Sequence, residues 1–143
     1  MIDNLLRFTT LPVPLLMRVA RIVGFAGITA IAVLSLLPGA ERPHTGLPGQ
    51  AEHFMAYACT GFALSLGYLR LGERLIFWAA LSVASGVFEI LQQWIPGRGC
   101  EIEDAVVSTL GLTAGLVLGA MAAARLYGLS AEEPKKHGEC GAE

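Results

Sequence analysis

Leu75-Ile-Phe-Trp-Ala-Ala-Leu-Ser-Val-Ala-Ser-Gly-Val-Phe-Glu-Ile-Leu-Gln-Gln-Trp-Ile95, closed by Pro96-Gly97, decides the fold. The run is mostly apolar, carries one acid, Glu89, and stops at a helix-ending pair. A spanning helix needs about 20 mostly apolar residues, and this stretch supplies them. It is long, rich in Ala and Leu, and has no period of two, so it is not a strand.

Working outward, three more segments of the same kind appear. Residues 104–126 follow, with Asp104 placed to cap the helix start. Residues 51–69 precede it, opening on Glu52-His53. Residues 22–37 come first and end at Pro38-Gly39, and Arg18 and Arg21 can snorkel to let this helix begin near Leu15. Charged residues make up only 15% of the 143-residue chain, against about 25% in soluble domains. They sit in the first 21 residues, in the gaps between apolar runs and in the tail. The sequence therefore predicts an all-α membrane protein, a four-transmembrane-helix bundle. Residues 1–14 form an N-terminal cytoplasmic or interfacial segment, 15–128 the membrane domain, and 129–143 a polar, disordered cytoplasmic tail. The apolar run after Arg7, Arg18 and Arg21 also suits a signal peptide. No small-residue cleavage site follows Leu37, so the first helix is expected to be retained.

Positive residues favour the cytoplasmic side. Arg7, Arg18, Arg21, Arg70, Arg74, Arg125, Lys135 and Lys136 fall on one side of this topology, and only Arg42 and Arg98 on the other. Both termini are expected inside, with loops 38–50 and 96–103 facing outward. No basic stretch points to nucleic acid. Cys59, Cys100 and Cys140 are far apart and read as small apolar or loop residues.

This topology brings the polar residues of separate segments to one level. Glu52 and His53 open the second helix, Glu89, Gln92 and Gln93 lie near the end of the third, and Arg98, Glu101, Glu103 and Asp104 fill the outer loop. Glu89 lies about 9 Å below Ile95 at about 1.5 Å per residue. Such an acid points into the bundle, with His53, Tyr57 or Arg98 as candidate partners. His53 is a candidate proton carrier or substrate anchor, and Arg98 a candidate grip for a phosphate or carboxylate head group. The acidic loop reads as ordinary solvated charge rather than as a cation site. Gly111, Gly115 and Gly119 form a small-residue stripe that lets another helix approach.

The motifs in their order resemble the VanZ-like membrane family. Ser35-Leu-Leu-Pro38 is similar to its first-helix ending, and Glu52-His53-Phe54-Met-Ala-Tyr57 to its helix opening. Phe88-Glu89-Ile-Leu-Gln92-Gln93-Trp94-Ile-Pro96-Gly97-Arg98 resembles its Glu-x-x-Gln…Pro-x-Arg element. Asp104-Ala-Val-Val-Ser108-Thr-Leu-Gly111 resembles the start of its last helix, with Ser108 where Asn is usual. The Lys common upstream of the His is missing from Pro48-Gly49-Gln50-Ala51.

The resemblance implies a multi-pass protein of the bacterial cytoplasmic membrane, linked to the cell envelope and to glycopeptide (teicoplanin) resistance. It implies His53, Glu89, Gln92, Arg98 and Asp104 as a polar set. Together the readings make His53, Glu89 and Asp104 the candidate catalytic residues, and Arg98, Gln92, Tyr57 and Glu52 the candidate substrate-binding residues. The expected partners are membrane lipids, an anionic lipid or glycan-linked lipid substrate at the outer leaflet, and a helix packing on Gly111, Gly115 and Gly119. No metal or cofactor is expected. A non-catalytic assembly or interaction protein is the alternative.

Overall fold

The computed structural model describes residues 13–41 and 46–128. They form four helices and no strand: α1 (Val13–Leu36), α2 (Gly49–Gly67), α3 (Leu71–Gln92) and α4 (Ile102–Leu126), with a short 3-10 turn at Gly39–Glu41. The expected tail and most of the N-terminal segment lie outside the described residues.

α1, α3 and α4 are each long and apolar enough to cross a membrane. At about 1.5 Å per residue, 22 to 25 residues cover a hydrocarbon core of about 30 Å. Their outer surfaces are apolar: Ile22, Ile76, Val83 and Leu110 are all more than half exposed. Such surfaces suit lipid better than water. α2 is different. Its first turns carry Gln50, Glu52 and His53, and these hold its hydropathy below that of the other three. It is also the most buried helix, with eight buried residues.

α2 lies between α1 and α4, and α3 packs mainly on α4. The α2–α4 contact is made by small residues. Gly111, Gly115 and Gly119 sit against the backbone of Phe54, Ala58 and Phe62 in turn. Both sets recur every four residues in the same direction, so the two helices run parallel and in register. The sequence left this stripe open to a further helix. In the structure α2 of the same chain fills it. α1 runs antiparallel to α2, with Gly24 against Leu64 and Gly27 against Thr60.

The interior is as polar as it is apolar. Ser35, His53, Thr60, Ser65, Ser85, Glu89, Gln92 and Ser108 are buried alongside Tyr57, Leu64, Leu81, Leu112 and Leu116. Ser65 donates to the Leu116 carbonyl at 2.9 Å, which ties α2 to α4. At one end of the bundle arginines close the C-terminus of α2. Arg21 Nε donates to the Gly67 carbonyl at 2.8 Å and its guanidinium lies 4.8 Å from the Tyr68 ring centroid. Arg74 donates to the carbonyls of Tyr68 and Ser65, each at 2.9 Å. These cations meet the negative end of the helix dipole and its unpaired carbonyls.

Every helix differs from the sequence reading by a few residues at its ends, and three of these shifts have a clear cause. α1 starts at Val13, two residues before Leu15, because Pro14 falls in its first turn, where a missing N–H is harmless. α3 begins at Leu71 rather than Leu75, with the Arg70 N–H donating to the Glu73 carboxylate at 3.4 Å. It ends at Gln92 rather than Ile95: Gln93, Trp94 and Ile95 donate instead to the carbonyls three residues back. Glu89 is thus only about 4.5 Å from the end of its helix at 1.5 Å per residue, half the depth expected.

Candidate functional site

The end of the bundle opposite Arg21 and Arg74 gathers the candidate residues. Two connections meet there. The Gly39 N–H donates to the Pro96 carbonyl at 3.2 Å, and Gly39 packs directly on Gly97. Gly97 has a φ of 73°, a conformation that glycine adopts without strain. This contact holds the chain after α1 against the chain after α3, and it positions Arg98. Gln50 Nε2 donates to Glu103 at 3.0 Å and ties the start of α2 to that of α4.

Below these connections three side chains from three helices converge. His53 of α2 places Nε2 3.5 Å from Oδ2 of Asp104 on α4. Glu89 of α3 joins them, and one ligand atom from each of the three lies within 4.8 Å of the other two. His53 and Glu89 are 8% and 4% exposed, so the cluster is inside the protein and not on a solvated loop. Glu89 Oε2 accepts the backbone N–H of Glu101 at 3.2 Å, which fixes the carboxylate at the end of α3.

Asp104 is not the cap of α4. Glu101 occupies that position, without a side-chain cap bond, and Asp104 stands in the first turn with its carboxylate turned toward His53. The pull of His53, two elements away, could not be seen from a local capping pattern. Its Oδ1 is buried and has no hydrogen-bond partner among the described residues. The hydroxyl of Ser108, one turn further into the bundle on the same side of α4, is also buried and unpartnered.

The candidate substrate-binding residues divide into two groups. Arg98 lines two open cavities. One, of about 280 Å³, lies between α1 and α2 and is shared with Glu52, His53, Ile31, Leu34 and Met55. The other, of about 390 Å³, is shared with Gln50, Gln92, Glu101 and Asp104. Arg98, Glu101 and Asp104 are close enough to Glu89 to act on its charge. Gln92 is only 2% exposed, and its amide donates to the Ser35 carbonyl at 3.1 Å. That bond holds the end of α3 to the end of α1, so Gln92 is committed to the bundle. Tyr57, equally buried, meets the Ser85 hydroxyl across the α2–α3 contact.

Ser35 was legible only as a member of a motif, and Ser85 only as a polar residue within the apolar run 75–95. Their roles as partners of Gln92 and Tyr57 come from the packing. Trp78, whose indole donates to Thr113 at 3.0 Å and joins α3 to α4, gave no signal in the sequence. Glu101 and Glu103 are exposed, as expected of an ordinary acidic loop.

Compared with known protein families, with curated proteins and with solved structures, the chain finds no significant match.

Proposed function

We propose that the chain is a VanZ-like protein of the bacterial cytoplasmic membrane that binds, and acts on, the head group of an anionic lipid or glycan-linked lipid at the outer leaflet. In this reading α2 is the fourth span, both termini are cytoplasmic, and the chain contributes to glycopeptide resistance of the teicoplanin kind. One observation carries it: His53, Glu89 and Asp104, taken from three separate motifs, meet within 4.8 Å beneath an open cavity that Arg98 also lines.

The cavity suits an amphiphile. Ile31, Leu34 and Met55 make its wall apolar where α1 and α2 face lipid, while His53, Glu52 and Arg98 stand at its polar end. An acyl or polyprenyl chain lies against the first group and an anionic head group meets the second. A guanidinium binds phosphate or carboxylate through two parallel hydrogen bonds. His53 and Glu89 are the groups able to take and return a proton beside it. The arginines at the other end of the helices favour placing that end inside, which directs the site outward.

The test is expression in a glycopeptide-susceptible bacterium, with the amount of protein in membranes measured alongside. The wild-type chain should raise the tolerated teicoplanin concentration. His53→Ala, Glu89→Ala and Arg98→Ala should abolish the gain at unchanged membrane levels. Full resistance in all three variants rejects the site. Glu89→Gln keeps shape and hydrogen bonding; if it retains full resistance, proton transfer by Glu89 is excluded and the cluster serves assembly alone.

A further inference from the structure

We infer that His53, Glu89 and Asp104 form a binding site for a single divalent first-row transition metal ion of the zinc class. The proposal gives the same three side chains a metal-binding role in place of the proton transfer assigned to His53 and Glu89 above, stands whether or not the ligand is a lipid, and departs from the sequence expectation that no metal is bound.

The donor set is the first argument. One imidazole nitrogen and two carboxylate oxygens, one from each of three helices, lie within 4.8 Å of one another. Imidazole among the ligands favours zinc, iron, nickel or copper over magnesium and calcium, which prefer all-oxygen cages. With neutral imidazole, two carboxylates balance a charge of two, which is what a buried cation requires. Coordination through Nε2 requires the His53 proton to sit on Nδ1.

The distances are the second argument. The His53–Asp104 separation of 3.5 Å is long for a charge-assisted hydrogen bond, which lies near 2.7–2.9 Å. It matches the edge of a tetrahedron around zinc, about 3.4 Å for ligands at about 2.1 Å. The widest pair, within 4.8 Å, closes to that edge with a side-chain shift on the order of 1 Å. Glu89 is oriented for this by the Glu101 N–H on its Oε2, as ligating carboxylates commonly are.

The third argument concerns hydrogen bonding at the cluster and one turn beyond it. Asp104 Oδ1 and the fully buried Ser108 hydroxyl have no hydrogen-bond partner among the described residues. Buried polar atoms are rarely left so, and a bound ion with its water supplies what they lack. The helix dipoles do not oppose this. α2 and α4 present their positive N-terminal ends at this level and α1 and α3 their negative C-terminal ends, so their fields largely cancel. Three protein ligands leave a coordination position open, and the cavities lined by His53 and by Asp104 give it access. A water or the oxygen of an anionic head group beside Arg98 fits that position.

The experiment uses the full chain, without an affinity tag of histidines, purified in detergent. It is stripped of metal and titrated with cobalt(II) chloride. The wild type should take up one cobalt per chain with a visible d–d absorption of a nitrogen–oxygen site, and zinc should displace it. His53→Gln and Asp104→Asn should each weaken cobalt binding at least tenfold and shift or abolish the band, while circular dichroism shows the helices intact. Glu103→Gln, an exposed acid in the first turn of the same helix as Asp104, should bind as the wild type does. A folded wild type with no d–d band and less than a tenth of an equivalent of metal overturns the site. So does undiminished binding in folded His53→Gln and Asp104→Asn together. If either variant loses its helices, Glu89→Gln replaces it, with the same criteria.

Discussion

Placing a methyl group at Gly115 tests the parallel α2–α4 contact on which the site stands. An alanine Cβ there would lie 2.8 Å and 2.9 Å from the carbonyl carbon and Cα of Ala58, with the carbonyl oxygen nearer still. Ordinary contact begins at 3.4 Å, so the helices must part by at least 0.6 Å (3.4 − 2.8). The obstacle is backbone, which cannot swing aside as a side chain can. Overpacking of this kind costs about 1–3 kcal/mol. Alanine returns up to about 1 kcal/mol of helix propensity over glycine. Gly115→Ala should therefore lose about 1–2 kcal/mol, and Gly115→Leu more. Gly86 on α3 is the control: a Cβ there meets nothing within 4 Å, so Gly86→Ala should be neutral or gain up to about 1 kcal/mol. Unfolding of the purified protein by SDS in mixed micelles, followed by far-ultraviolet circular dichroism, reads both. Equal shifts in the same direction for Gly115→Ala and Gly86→Ala, or a wild-type midpoint for Gly115→Leu, would refute the packing argument.

Three further outcomes are expected. Arg74→Ala removes two hydrogen bonds from the C-terminal carbonyls of α2; it should cost about 1–3 kcal/mol, with Arg74→Lys recovering only part, in the same unfolding assay. Gln92→Ala leaves the Ser35 carbonyl at the buried contact it now makes without its donor, and should cost about 1–3 kcal/mol; a wild-type unfolding midpoint would show that the α1–α3 tie is dispensable. Cys100 is exposed on the loop beside the site, so in a Cys59→Ser, Cys140→Ser background a membrane-impermeant maleimide should label it in intact cells. Labelling only after permeabilisation would invert the proposed orientation.

What the sequence made legible follows from the range of the forces involved. Apolar length is a local property, so α1, α3 and α4 were plain. The common level of His53, Glu89 and Asp104 followed from counting residues along alternating helices, and the structure brings those three together. What could not be read were the choices made between helices. Asp104 looked like a cap because Asp at a helix start usually is one; only the approach of α2 offers His53 instead. Gln92 looked like a ligand-binding amide, but the end of α1 brings it the Ser35 carbonyl. Gly111, Gly115 and Gly119 showed that some helix comes close, without showing that the helix is α2.

The same geometry accounts for the weak apolar signal of α2. A helix at the centre of the bundle has little surface left for lipid, so its residues answer to its neighbours. Tyr57, Thr60, Ser65 and His53 are buried on it, and none would be comfortable facing hydrocarbon. Gly61 lies against the Leu112 carbonyl and the Leu116 N–H of α4, where a larger, more apolar side chain would not fit. Raising the hydropathy of α2 would require replacing the residues that pack it and the residues that make the site. The weakness of α2 as a span and the polar cluster at its N-terminal end therefore have one cause. In the proposed topology α2 crosses the membrane because α1 and α4 shield it, and His53 reaches Glu89 and Asp104 because it rides on the helix they enclose.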